Sequence, residues 1–430
     1  MSKETCFWQI KCIRPFTLIL LLTLLSTVTF GCAGIGGNRP ENKQENQQNE
    51  NRQDVRVEQD KVREAMQSMS IAKKLGQLVM VGIDGYELDE QTRDLIQQDY
   101  VGGVVIFGRN VRDSLQLRTL LDSLKQVNAA VNGIPLFLSV DEEGGRVSRM
   151  PDELSDLPTS ARIGRQNDAR LSSQIGSMLA AQLKLFGFNM DFAPVLDINS
   201  NPQNPVIGDR AFGADAGLVS KLGIATMKGL QAAAIIPVVK HFPGHGDTQV
   251  DSHEELPIVS HDRNRLNGFE LVPFAEAIKN NADAVMVAHI LLPQLDEHNP
   301  ASLSKAVITD LLRTELGFNG VVITDDLTMG AISGNHEIGE AAVKAIKAGS
   351  DLVLVCHGYE NEIAVLDALK SAVETGLISE ERVDQSVYRI LKLKERYKLT
   401  DEPLSLKTGE ELQKEIDDVN SAIRELKEKL

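Results

Sequence analysis

One tryptophan and 4% aromatic residues in 430 positions leave no wall of stacked indoles to hold a long polymer. Positive charge is scarce as well: 45 Lys and Arg stand against 61 Asp and Glu, a net of −16. Neutralising a phosphate backbone takes clustered cations, so nucleic acid is excluded as an expected partner. Cysteine occurs only at Cys6, Cys12, Cys32 and Cys356. The first three belong to an export signal and its edge, so Cys356 stands alone and no disulfide framework can form. In Asp351-Leu-Val-Leu-Val-Cys356 it reads as a small buried hydrophobe rather than a nucleophile. No Gly-x-Gly-x-x-Gly follows the first strand candidate, which weakens the dinucleotide-binding form of an open, doubly wound sheet. What remains, 42% hydrophobic and 25% charged, rules out a largely disordered or collagen-like chain.

Residues 1–31 read as a signal peptide. Lys3, Lys11 and Arg14 make a basic start, and Phe16 to Phe30 is an uncharged, Leu-rich run ending at Gly31-Cys32. The run falls short of the roughly 20 residues needed to span a bilayer as a helix. A cysteine directly after a small residue resembles a bacterial lipobox, although Thr29-Phe30 departs from its usual residues. The resemblance implies lipid attachment at Cys32, export, and a membrane anchor without a span. Residues 32–54 contain Glu41-Asn-Lys-Gln-Glu-Asn-Gln-Gln-Asn-Glu50, with nothing apolar to bury, and read as a flexible tether.

From residue 55 to about 400, apolar runs alternate with amphipathic stretches. Eight runs read as buried strands: Leu78–Ile83, Gly103–Phe107, Leu136–Asp141, Asn189–Ile198, Pro237–Phe242, Ala284–His289, Val321–Asp326 and Leu352–Cys356. Continuous Val/Ile/Leu runs suit parallel strands covered on both faces. Eight of them alternating with helices predict an α/β fold, a (β/α)₈ TIM barrel forming a single domain. Residues 401–430 carry Leu412, Ile416, Val419, Ile423, Leu426 and Leu430 at alternating four- and three-residue steps. This amphipathic C-terminal helix either packs back on the barrel or mediates self-association.

Polar residues gather where the strands end, the face on which barrel active sites assemble. Lys240-His-Phe-Pro-Gly-His-Gly-Asp-Thr248 precedes Asp251-Ser252-His253. Val321-Val-Ile-Thr-Asp325-Asp326 ends a strand in two carboxylates, while Asp141-Glu142-Glu143-Gly-Gly-Arg146-Val-Ser-Arg149 and Asn204-Pro-Val-Ile-Gly-Asp209-Arg210 follow two others. Together these motifs, over residues 65–397, resemble family 3 glycoside hydrolases, in particular the bacterial β-N-acetylglucosaminidases that act on peptidoglycan fragments. The resemblance implies Asp325 as catalytic nucleophile, His253 as general acid/base and Asp251 as its orienting partner. It also implies Asp141, Arg149, Arg210, Lys240 and His241 as residues that hold the sugar hydroxyls and N-acetyl group. No cofactor or metal is implied; the partner is an N-acetylglucosamine-containing glycan. Glu142 stands where the family commonly has Gln.

The chemistry is coherent on its own terms. A retaining glycosidase needs a carboxylate to attack the anomeric carbon and a proton donor for the leaving oxygen. An imidazole with an unperturbed pKa of about 6.5 can give and then take that proton near neutrality. An Asp two residues before the His can fix its tautomer, and a dyad on a loop can move to complete the site.

Duller readings stand beside these. Asp326 is the alternative nucleophile, pointing opposite to Asp325. His245 and Asp247 read as loop-shaping hydrogen bonders. Glu142, Glu143 and Arg146 read as pairing with one another at the rim, and Asp197 as organising the Asn199–Arg210 loop. His289 reads as catalytic, as site-lining or as a satisfied core residue. Two other functions compete: a metal-dependent barrel hydrolase using the His and Asp residues as ligands, and a sugar-binding lipoprotein, which has no need of a His–Asp dyad.

Overall fold

The computed structural model describes residues 61–404 and 409–430. The signal, Cys32 and the tether lie outside the described residues, as does the start of the expected barrel segment.

Eight parallel strands close into a barrel in chain order: β1 Val79–Gly82, β2 Gly103–Ile106, β3 Phe137–Val140, β4 Met190–Asp191, β5 Ile236–Phe242, β6 Ala284–Val287, β7 Val321–Asp326 and β8 Leu352–Val355. Val81 of β1 pairs with Val104 of β2 on one side and Val355 of β8 on the other, which closes the ring. The α/β barrel expected from eight apolar runs is therefore present. Nearly every strand residue is buried, because side chains facing inward fill the barrel and those facing outward meet helices.

β4 is much shorter than the Asn189–Ile198 run suggested. Pro194 has no N–H to give the ladder, and beyond it only an isolated bridge joins Val195 to Lys240. Side chains take over part of the pairing: Asn189 Oδ1 accepts from Leu138 N at 2.9 Å and Asn189 Nδ2 donates to Leu136 O at 2.9 Å.

The helices start where short polar residues cap them. Asp113, Asp168 and Asp215 each accept a backbone N–H in the first turn of helices Ser114–Ala129, Ala169–Phe186 and Ala216–Ala232, which satisfies donors that the helix itself cannot. Gly187 ends the second of these at φ 97°, a left-handed position that a residue with a Cβ resists.

Helix Gly409–Lys427 turns its apolar seam onto the barrel. Leu412, Ile416, Ile423 and Leu426 are buried in the main core, with Val419 and Leu430 half-buried beside them. Each such burial is worth about 2 kcal/mol, so the seam is taken up within the chain. Asn420 also grips the loop after β3: its Oδ1 accepts from Ser155 N at 2.7 Å and its Nδ2 donates to Glu153 O at 2.8 Å.

Candidate active site

At the carboxyl ends of the strands lies a cavity of about 250 Å³. Its floor is apolar barrel interior, with Val105, Met286 and Leu354, and Phe107 stands in its wall. Asp141, Arg149, Arg210, Lys240, His241, Asp251, His253 and Asp325 all line it. The ends of β5 and β7 and the loops after β3, β4 and β5 thus deliver the whole expected set to one concavity. The volume lies below the range usual for drug-sized ligands, about 300–1,000 Å³, and suits a single sugar ring.

One wall is a chain of buried charges. Lys240 Nζ lies 2.5 Å from Asp141 Oδ1 and 2.7 Å from Glu143 Oε1, with the lysine side chain only 2% exposed. Glu143 also takes Arg210 in a two-pronged pair, Nη2 at 2.6 Å and Nε at 2.8 Å. Arg210 Nη2 then meets His241 Nε2 at 3.3 Å, and His241 Nδ1 lies 2.6 Å from Asp197 Oδ2. Burial works to raise the Glu143 pKa, but the two cations outweigh it and hold the carboxyl below its usual range. Burial would strip the proton from Lys240, and Asp141 and Glu143 outweigh that in turn, leaving its pKa raised. Such a cluster is stable only while every member has its partner. It presents fixed donors and acceptors of the kind that bind hydroxyls and an amide.

Opposite this wall is Asp325, half-buried at the end of β7. Its Oδ1 accepts from Asp326 N at 2.9 Å. Burial raises its pKa, but His289, His241, the Asp326 N–H and Lys240 together lower it, so it is ionised at neutral pH. Asp326 points elsewhere, as strand alternation requires: its carboxylate accepts from Thr328 N, Thr328 Oγ1 and Cys356 N at 3.0, 2.6 and 3.0 Å. It braces the loop and does not line the cavity.

The dyad sits at the mouth. His253 Nδ1 lies 2.7 Å from Asp251 Oδ1, which also accepts from His253 N at 2.9 Å. The His253 side chain is 66% exposed, so its other ring nitrogen is open to a ligand. Burial works to raise the Asp251 pKa, and hydrogen bonds from His253 outweigh it. With Asp251 at Nδ1, Nε2 is the ring nitrogen left facing away from the pair.

Several assignments made from sequence need correction. Glu142, Glu143 and Arg146 do not pair with one another. Glu142 is buried and accepts the Arg149 N–H at 2.8 Å, Glu143 belongs to the charge chain, and Arg146 reaches across to Asp209 at 2.9 Å and to Val206 O at 2.6 Å. Glu143 is the site residue that the sequence reading missed. Asp141 and Glu143, two apart, both reach Lys240, a convergence that no local pattern in the sequence marks. Asp197 does not organise the Asn199–Arg210 loop through its carboxylate; it orients His241 and accepts from His245 N at 2.7 Å. His289 is a satisfied core residue, 0% exposed, with Ser302 Oγ at 2.7 Å and Asp326 O at 2.9 Å. His245 and Asp247 do shape loops: His245 spans Thr248 and Ser252, while Asp247 holds His261 at 2.7 Å.

These bonds also bear on a metal-dependent chemistry. His241, His245, His289 and Asp247 each have a protein partner. Among the described residues no three of His, Cys, Asp and Glu are grouped so as to hold a metal ion.

Comparison with known proteins agrees with the geometry. The family described as "Glycosyl hydrolase family 3 N terminal domain" matches residues 70–393. A protein named beta-hexosaminidase from Nitrosomonas eutropha is 38% identical over 74% of this chain and 92% of its own length. Beta-hexosaminidase A from Pseudoalteromonas piscicida is 36% identical over 71% of this chain, which spans 55% of that longer protein. Among solved structures, a glycoside hydrolase family 3 beta-N-acetylglucosaminidase from Paenibacillus superposes with a TM-score of 0.77 at 44% identity, covering 83% of this chain and 69% of that one.

Proposed function

The chain belongs to glycosyl hydrolase family 3, a family of glycosidases, and from that premise we propose that it is a retaining exo-β-N-acetylglucosaminidase releasing terminal N-acetylglucosamine from peptidoglycan fragments or related glycans. The observation that carries this reading is the shared cavity. An ionised Asp325 and the Asp251–His253 dyad line the same one-ring space as Asp141, Lys240 and Arg210, the two cations being paired to the buried Glu143.

The mechanism is a double displacement. Asp325 attacks the anomeric carbon as the glycosidic bond breaks, and His253 gives its proton to the departing oxygen. The product of that step is a covalent glycosyl-enzyme. His253, now neutral, takes a proton from water, whose oxygen attacks the same carbon and frees Asp325. Inversion twice returns the starting configuration. Asp251 holds the imidazole in one tautomer throughout and stabilises its charged form. Asp141, Lys240, Arg210, Arg149 and His241 bind the ring's hydroxyls and N-acetyl group. Fixed charges in a buried wall suit this task because they need no reorganisation as positive charge develops on the sugar.

The reading includes export. Cys32 carries lipid, and residues 32–54 let the barrel reach glycan away from the membrane surface.

Hydrolysis of a chromogenic β-N-acetylglucosaminide, measured with EDTA present and repeated with Asp325→Ala, tests the enzymatic part. Turnover should survive EDTA and vanish in the variant. Turnover abolished by EDTA would favour the metal-dependent hydrolase. Tight N-acetylglucosamine binding without any turnover would favour the sugar-binding lipoprotein.

A further inference from the structure

The dyad loop is held from two sides. From below, His245 Nε2 meets Ser252 Oγ at 3.2 Å. From the side come two backbone donors: Gly330 N gives to His253 O at 3.1 Å, and Ala331 N gives to Ser252 O at 3.1 Å. Both donors belong to the short segment Gly330–Ser333 that follows β7. Gly330 lies five positions after Asp325 on the same stretch of chain. The strand end that carries the nucleophile therefore also grips the backbone of the acid/base residue.

Glycine is required at this point by space, not by backbone conformation. A Cβ built on Gly330 would sit 2.6 Å from His253 O and 2.6 Å from Glu254 O. Both obstacles are backbone atoms of the dyad loop, so neither can swing aside as a side-chain tip does. Any larger residue must push that loop outward and stretch the two N–H···O bonds. His253 is 66% exposed, so no deep packing of its own side chain would hold the imidazole at the cavity once this junction opened. Asp251 cannot compensate, because it lies on the same loop and would move with it.

We propose that Gly330 is a positioning residue for general acid/base catalysis: by letting the β7 loop touch the carbonyls of residues 252–254, it holds His253 to the cavity that Asp325 also lines. The inference rests on the proposed glycosidase reading with His253 as proton donor. It adds that nucleophile and proton donor are registered by one junction, five residues from the nucleophile. Geometry of this kind matters because a proton donor displaced by about 1 Å loses much of its effect.

The test compares leaving groups in the full chain with Gly330→Ala. Cleavage of N,N′-diacetylchitobiose needs a proton for the departing sugar oxygen; cleavage of 2,4-dinitrophenyl β-N-acetylglucosaminide does not, since dinitrophenolate leaves unaided. The variant should lose about 10²-fold in kcat/KM on the disaccharide, the scale of general acid catalysis, and less than about fivefold on the dinitrophenyl substrate. Azide, which attacks a glycosyl-enzyme without needing a base, should raise kcat of the variant on the dinitrophenyl substrate. Equal losses on the two substrates, or no loss on either, would overturn the proposal, because a merely structural role does not distinguish leaving groups. If Gly330→Ala shows no cooperative thermal transition, Ser252→Ala decides instead. It removes the His245 strut without adding bulk, and should show the same leaving-group selectivity at smaller size; a selectivity ratio of one there would also overturn the proposal. Wild-type protein inactive on both substrates would refute the glycosidase reading itself, a result distinct from a flat ratio in an active enzyme.

Discussion

Glu142 offers a stability switch that can be removed by exchanging one atom. The side chain is buried, 1% exposed, beside Asp191 at 0%. Its Oε2 accepts from Arg149 N at 2.8 Å, and its own N–H goes to Asp191 Oδ1 at 3.1 Å. Burial pushes its pKa from 4.5 up to about 7, against the pull of the Arg149 N–H and the Ser148 hydroxyl. The folded protein thus keeps a proton that the unfolded chain gives up at lower pH. A carboxyl raised in this way destabilises with increasing pH: its contribution is most favourable below pH 4.5, declines between about 4.5 and 7, and is constant above. At about 1.4 kcal/mol per pKa unit, the loss across that window is about 3 kcal/mol.

Glu142→Gln keeps an oxygen to accept the Arg149 N–H and cannot ionise. The variant should be more stable than the wild type by about 3 kcal/mol at pH 8, and the gap should shrink below about 1 kcal/mol at pH 5. Asp191, also raised well above its usual value by burial and by Glu142, ionises more easily beside an amide, which affects the size of the gap and not its sign. Urea unfolding followed by far-ultraviolet circular dichroism at the two pH values measures it, with equal slopes required for comparison. An equal midpoint difference at both pH values, or a variant less stable at pH 8, would refute the reasoning.

Three other outcomes follow from the site and its supports. Trapping with 5-fluoro-N-acetylglucosaminyl fluoride should add one sugar to the peptide containing Asp325, read by mass spectrometry, and Asp325→Asn should abolish the adduct. Asp197→Asn, which weakens the hold on His241 Nδ1 and His245 N, should raise KM and cost about 3 kcal/mol in unfolding experiments, as loss of one partner of a buried pair does. Cys32→Ala should eliminate incorporation of labelled palmitate in the expressing cell, and retained label would remove the lipid anchor from the reading.

The barrel was readable because its strands are buried on both faces. Runs such as Val321–Ile323 and Leu352–Val355 need no partner information to be recognised, and a polar residue at the end of such a run stands out against them. That is why Asp141, Lys240 and Asp325 could be singled out. The run Asn189–Ile198 overstates the strand, because composition does not reveal that Asn189 pairs through its side chain or that the ladder stops near Pro194. Glu143 and Asp197 are misassigned from sequence, and His289 stays open between site and core, for a common reason: each is defined by a partner far away in sequence. Lys240 lies 97 positions from Glu143 in the ion pair, and no local pattern encodes that distance. The C-terminal seam was seen, but whether it met the barrel or a second copy depended on the surface of helix Ala169–Phe186.

The apolar floor of the cavity has a consequence at the scale of the polymer. Val105, Met286 and Leu354 close the bottom with the barrel's own packed interior, so a glycan cannot thread through and continue out the other side. For an enzyme of the proposed exo-acting kind, each productive encounter begins at a free terminus and finishes with the freed ring backing out through the mouth. For an enzyme of the proposed kind, flux is then set by the number of termini in the surrounding material and hardly by its mass. An intact mesh of long strands would be a poor meal, and the same mesh cut into short pieces a rich one, so the activity would rise and fall with whatever chain-breaking enzymes work upstream.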